Sequence, residues 1–260
     1  MFVLGPMVTV AELRAFLESH ELVLVGQLMD SSNGAFVCQL GDIQVVYKPM
    51  SEESPLWDFP DETLSRREVA ASEIDQVLGW NLIPPTVWFE GGEFGAGSIQ
   101  VFIESAQVSD VVIAPIDEFP QGFLPVVRGE MGGAQVLVGH SADAELFKAA
   151  ILDVLLNNAD RKGGHILRDT AGKLWLIDHG VVLNAETKLR TVLWGWAGES
   201  IPEAIADQLK EVRELLPSVL SPDCFSEDER SAMVQRLNLL INDGMPYPSQ
   251  EWPAIPWPVF

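Results

Sequence analysis

The chain has 260 residues and a mass of 28.6 kDa, which suits one large domain or two small lobes. Its 47% hydrophobic content supports a sizeable core without disulfides or a structural metal. Sixteen Lys and Arg against 38 Asp and Glu give a net charge of −22, which argues against a nucleic-acid binder and against stable attachment to anionic lipid, because both need clustered cations. Cys38 and Cys224 form no CxxC pair, so no disulfide framework or zinc site is expected. The first residues, MFVLGPMVTVAELRAFL, lack a basic start and a small-residue cleavage site, and no apolar run approaches the roughly 18 residues of a membrane span. A cytoplasmic protein is the expectation.

Val10, Leu13, Phe16 and Leu17 recur at helical spacing, and Thr9 with Glu12 makes a capping box ahead of them. Three β-prone segments follow, Glu21–Met29, Ala35–Leu40 and Ile43–Tyr47, separated by turn signals at 30–34 and 41–42, which predicts an antiparallel meander. Ser51–Phe59 reads as a loop. A helix is predicted over Asp61–Leu78, with Gly79 to end it, then strands over Thr86–Glu90 and Ser98–Glu104. Prolines and glycines make Val108–Gly139 read as loop-rich. A helix is predicted over Ser141–Asn157 with Ser141 as its cap. A polar loop at Asn158–Gly164 and two short strands, Ile166–Arg168 and Leu174–Ile177, come next. Pro202–Asn242 reads as mostly helical, and the Trp- and Pro-rich tail from Trp252 reads as an extended strap. A boundary near residue 105 would separate a β-rich N-lobe (1–105) from a mainly helical C-lobe (106–260).

Three segments stand out chemically. Val45–Pro49 ends an apolar strand on a lone lysine, Lys48. Asn157–His165 puts Asp160 in a polar loop after a buried helix, with His165 five residues on. Leu176–Gly180 puts Asp178 at the end of an apolar strand. Phosphoryl transfer uses such a set: a lysine on nucleotide phosphate, a loop carboxylate at the acceptor hydroxyl, and a second carboxylate on Mg²⁺. Glu68 on the predicted helix is the candidate partner for Lys48, with Glu73 as its rival. Each piece has a plainer reading: a surface lysine, a simple turn at Asp178, a solvated Asp160–Arg161 ion pair, a His165 that only supports a ligand or packs in the core. The order of the pieces along the chain favours the chemical reading.

That order resembles the protein-kinase-like fold. In detail it resembles the phosphatidylinositol 3-/4-kinase-like family, above all the type II phosphatidylinositol 4-kinases, with an actinobacterial branch as the nearer likeness. Four blocks carry it: Glu68–Ser72 leading through Asp75 and Leu78-Gly79 to Ile83-Pro-Pro-Thr86; Gly97–Glu104; Asn158-Ala-Asp-Arg161; and Ile177-Asp-His-Gly180. The resemblance spans roughly residues 25 to 200. It implies an α+β, two-lobed fold and an ATP-dependent phosphotransferase using Mg²⁺ or Mn²⁺. Lys48 would contact the α- and β-phosphates, paired with Glu68, and Ser31, Ser32 and Asn33 would cover the phosphates. Backbone groups of Phe102, Ile103 and Glu104 would hold adenine. Asp160 would be the catalytic acid/base and Asp178 the principal metal ligand.

The family has asparagine as second metal ligand where this chain has His165. That departure implies a preference for Mn²⁺, the loss of one metal, or a nucleotide-binding regulator with little turnover; transfer of AMP is a further alternative. The family's palmitoylated cysteine-rich stretch is lacking, so the implied acceptor is a hydroxyl on a small molecule or a protein. After Gly180, Lys188 and Arg190 are candidates to meet an anionic substrate, while Trp194 and Trp196 either wall a pocket or pack the helical lobe. Lys162 either meets the γ-phosphate or sits in solvent.

Overall fold

The computed structural model describes residues 8–28 and 34–260. The fold is α+β, with a sheet-rich part and a helical part. Helix α1 (Val10–Ser19) opens with the expected capping box: the Thr9 hydroxyl accepts from the Glu12 amide, and the Glu12 carboxylate accepts from the Thr9 amide. Strands β1 (Leu22–Gln27), β2 (Phe36–Leu40) and β3 (Ile43–Pro49) form the meander. With β4 (Thr86–Gly92) and β5 (Gly95–Val101) they make a five-stranded antiparallel sheet of order β1-β2-β3-β5-β4. Alternation along β2 and β3 turns Phe36, Cys38, Leu40, Val45 and Tyr47 to one face, where they pack with Val87, Ile99 and Leu13 of α1. Burial pushes the Cys38 thiol up to about 11, so it acts there as a small apolar group. Lys48 follows Tyr47 and therefore projects from the opposite face.

Helix α2 (Leu64–Leu78) lies between β3 and β4 in sequence. It begins three residues later than its apolar spacing predicted. The reason is a distant cap: the Glu53 carboxylate accepts from the amides of Leu64 (3.0 Å) and Ser65 (2.7 Å), while the Thr63 hydroxyl turns back to the Pro60 carbonyl. Gly79, at φ +67°, ends the helix as expected. Strand β5 starts and stops three residues before the predicted 98–104, so Phe102–Glu104 form a connector beyond the sheet.

The region 108–139 corrects the loop-rich expectation. It folds as a three-stranded antiparallel sheet, β6 (Val111–Pro115), β7 (Phe123–Met131) and β8 (Ala134–Ser141), in the order β6-β8-β7. Its prolines lie where a strand tolerates them: Pro115 ends edge strand β6, and Pro125 sits beside the register shift on edge strand β7. Gly132 and Gly133, both at positive φ, turn β7 into β8. The second half of the chain is therefore less uniformly helical than expected.

Helix α3 (Ala144–Leu156) is capped by Asp143, not Ser141. Ser141 ends β8 and donates to Asp110. Leu146, Ala149, Ala150, Ile151, Leu152 and Leu155 of α3 are buried with Ala71, Ile74 and Leu78 of α2 in the largest core cluster. Strands β9 (Ile166–Arg168) and β10 (Leu174–Leu176) form the short hairpin, and helices α4 (Glu203–Val212), α5 (Leu216–Val219) and α6 (Glu227–Asp243) close the helical part. Arg67 of α2 is fully buried and donates to Glu229 of α6 (2.7 Å) and to the Val182 carbonyl (2.8 Å), which locks α2 to the helical core. The tail packs back on the chain without regular structure, touching the polar loop after α3 and the segment around Thr191. The Val259 carbonyl accepts from Gly163, and the Ala254 carbonyl accepts from Thr191 and Trp194.

Candidate active site

Three elements meet at Lys48. Its ammonium pairs with the Glu68 carboxylate of α2 and lies 2.9 Å from Asp178 Oδ1, in the turn after β10. Glu68 is buried (2% exposed), and its Oε2 has no partner among the described residues. Burial raises the Glu68 carboxyl; Lys48 opposes that shift and Asp178 adds to it. Burial alone would lower Lys48, but the two carboxylates outweigh it and hold the ammonium above its ordinary range. Lys48 does the converse to Asp178, holding that carboxyl well below the usual range. Glu73, the rival partner, lies on the solvent side of α2, 4.0 Å from Arg14.

Asp178 has φ +61°, the left-handed region that disfavours a β-carbon and marks many functional positions. Its side chain is 50% exposed, so much of the carboxylate faces open space despite the Lys48 contact. Oδ2 lies 3.4 Å from His165 Nε2. Burial lowers His165 to about 4, so the imidazole is neutral at physiological pH. Its Nδ1 has no partner among the described residues.

The polar loop begins where Asn157, at φ +53°, ends α3. The Asp160 amide donates to the Asn158 side-chain oxygen (2.9 Å), which fixes the turn, and the Asp160 carboxylate pairs with Lys162 at 3.0 Å. Lys162 is thus an ion-pair partner rather than a free surface lysine. Asp160 and Lys162 both act electrostatically on His165, so the loop and the Asp178 turn share one environment.

Arg161 does not form the solvated pair with Asp160. It is fully buried, with Nε 3.0 Å from Asp153 of α3. It also donates to the Ile177 carbonyl (2.9 Å) and to His179 Nε2 (2.7 Å). Burial, then the Arg161 charge, keeps His179 neutral. Thr191 and Asn158 donate to the remaining Asp153 positions. Arg161 therefore staples the loop of Asp160 to the turn of Asp178 from beneath. Sequence reasoning missed Asp153 and His179 in this role; the available signal was one carboxylate inside the apolar run Ile151–Leu156, which requires a buried cation.

Other expected positions divide. Ser31, Ser32 and Asn33 lie outside the described residues. The Phe102 amide donates to the Gln44 carbonyl and is not available to a ligand, whereas the amides of Ile103 and Glu104 have no partner among the described residues. Lys188 is buried and paired with Asp58 (2.9 Å), so it does not face a substrate. Arg190 Nε donates to the carbonyl of Ala159, the residue before Asp160. Trp194 and Trp196 are buried, and Trp196 stacks on Phe147. Among the described residues no three His, Cys, Asp or Glu side chains converge on one point as a closed metal cage. No helix among them is long and apolar enough to cross a membrane.

No known family model matches the sequence. Among solved structures, the proinflammatory kinase CtkA of Helicobacter pylori aligns at a TM-score of 0.48 and 12% identity, over 86% of this chain and 92% of that one. Among curated proteins, Protein Rv2133c of Mycobacterium tuberculosis (strain ATCC 25618 / H37Rv) is 40% identical over 265 residues, covering 95% of each chain. The chain belongs to the same family as Protein Rv2133c.

Proposed function

We propose that the cleft around Lys48 binds ATP with a divalent cation and transfers the γ-phosphoryl group to a hydroxyl acceptor. The observation that supports this best is the Lys48 ammonium, at a strand end, held by Glu68 of a helix and Asp178 of a turn, three segments far apart in sequence. A surface lysine needs no such enclosure. Phosphoryl transfer needs a positioned cation beside a metal-binding carboxylate. In this reading residues 1–105 form the upper lobe, residues 106–260 the lower, and the nucleotide lies between them.

Lys48 would neutralise the α- and β-phosphates while Glu68 fixes its direction. The free amides of Ile103 and Glu104 would meet the base, and Ser31, Ser32 and Asn33 would cover the phosphates. Asp160 would accept the acceptor hydroxyl's proton, with Lys162 beside it near the transferred group. The donor set fits a divalent ion that shares its coordination with phosphate: one half-exposed carboxylate, Asp178, and the imidazole of His165 beside it, with no closed cage among the described residues. The bound metal would supply charge neutralisation between the phosphates. The blocks that resemble the phosphatidylinositol 3-/4-kinase-like family suggest this chemistry. With a net charge of −22 opposing an anionic membrane, we take the acceptor to be a small molecule or a protein.

Calorimetric titration of a non-hydrolysable ATP analogue, with and without divalent metal, tests the reading. Metal-dependent binding that Lys48→Met removes is expected, as is an Asp160→Asn variant that still binds nucleotide but transfers phosphate about 10²–10⁴-fold more slowly. Binding under no metal condition would refute it. Intact-mass analysis after incubation with ATP distinguishes phosphoryl from AMP transfer.

A further inference from the structure

We propose that His165 is a metal ligand that makes this site prefer a nitrogen-accepting divalent ion, Mn²⁺, over Mg²⁺. The inference rests on the nucleotide reading of the same cleft and deepens it.

The geometry comes first. His165 Nε2 and Asp178 Oδ2 are 3.4 Å apart. Two adjacent donors about 2.1 Å from one divalent ion are separated by about 3.0–3.4 Å. The pair therefore already stands at the bite of a shared cation. As a hydrogen bond, 3.4 Å is long for nitrogen and a charged oxygen. The opposite Asp178 oxygen, Oδ1, is taken by Lys48, which leaves Oδ2 as the oxygen turned to the imidazole.

The tautomer presents no obstacle. His165 Nδ1 is buried without a partner among the described residues. A proton on Nδ1 leaves that atom unpaired, and a proton on Nε2 does the same. Moving the proton to Nδ1, which frees the Nε2 lone pair for metal, sacrifices only the 3.4 Å contact to Asp178.

The backbone that carries the ring is held in place. The His165 carbonyl accepts from the Ile177 amide (3.0 Å), and the His165 amide donates to the Lys162 carbonyl (3.2 Å). The buried Arg161 guanidinium spans the His165 and Ile177 carbonyls. The backbones of both ligand-bearing segments are thus tied to one buried guanidinium. An imidazole nitrogen is a poor ligand for Mg²⁺, which is bound through oxygen, and a good one for first-row transition ions. A surface or core histidine has no need to share an opening with a half-exposed carboxylate.

The test uses the full chain, a non-hydrolysable ATP analogue, and Mg²⁺ or Mn²⁺ alone as the metal. Calorimetry is expected to show at least tenfold tighter nucleotide binding with Mn²⁺, and His165→Asn is expected to bring the two metals within about threefold. Pulsed paramagnetic resonance of the Mn²⁺–nucleotide complex reads the ligand without mutation: nitrogen coupling that changes on ¹⁵N-histidine labelling is expected in the wild type. Nucleotide bound equally well with both metals, or bound Mn²⁺ without histidine nitrogen coupling, overturns the assignment of His165 and leaves the nucleotide site standing. No nucleotide binding with either metal overturns both.

Discussion

Removing the Asp153 carboxylate should destabilise the protein more than most single substitutions. In Asp153→Ala the Arg161 guanidinium remains fully buried but loses its counter-ion, and the Thr191 hydroxyl and Asn158 amide lose an acceptor. Breaking a buried ion pair from one side costs about 3–5 kcal/mol, because the remaining charge stays desolvated. Against a total of about 5–15 kcal/mol for a folded domain, that is a large share. At about 2–4 °C per kcal/mol for chains of comparable size, the melting temperature should fall by roughly 10 °C. Urea unfolding gives the free energy directly. Asp153→Asn should lose less, since it keeps an acceptor of the same shape. Asp207→Asn breaks only an exposed pair with Lys210 and should change stability by about 0.5 kcal/mol or less. A loss below about 1 kcal/mol for Asp153→Ala would refute the view that this network bears on the loops above it.

Burial raises Asp75 to about 6 in the fold, while an unfolded aspartate titrates near 3.9. Between about pH 4 and 6 the folded state binds more protons than the unfolded one, so this group's contribution to stability declines as pH rises through that window. Asp75→Asn keeps an acceptor for the Ile83 amide and should remove that slope, which urea midpoints at pH 4, 5, 6 and 7.5 would reveal; an unchanged slope contradicts it. At Gly97 an added β-carbon would lie 2.3 Å from the Lys48 carbonyl oxygen and 2.7 Å from Pro49 Cα, both backbone atoms. Gly97→Ala should therefore cost about 1–3 kcal/mol and weaken nucleotide binding by displacing Lys48; wild-type values for both measurements would refute the close approach.

Much of this protein follows from local pattern. The capping box of α1, the alternation of β2 and β3, the glycine that ends α2 and the apolar face of α3 each depend on residues within a few positions of one another. Lys48, Asp160 and Asp178 stand out for the same reason, as charged residues where an apolar element ends or turns, whereas Glu68 stood out only as a carboxylate on the predicted helix, with Glu73 as its rival. The start of α2 and the sheet at 111–141 escaped because their causes are not local: Glu53 caps from eleven residues away, and Pro115 and Pro125 become strand residues only once an edge is available to them.

Sequence by itself determined the order of elements and the chemical type of the groups gathered near Lys48. Tertiary structure alone decided the pairings. It chose Glu68 over Glu73 for Lys48, took Lys188 away to Asp58, and drew Arg161 down to Asp153 rather than outward to Asp160. The physical reason is desolvation. A charge removed from water must find its opposite within hydrogen-bond reach, and which opposite is in reach depends on how distant segments pack, not on spacing along the chain.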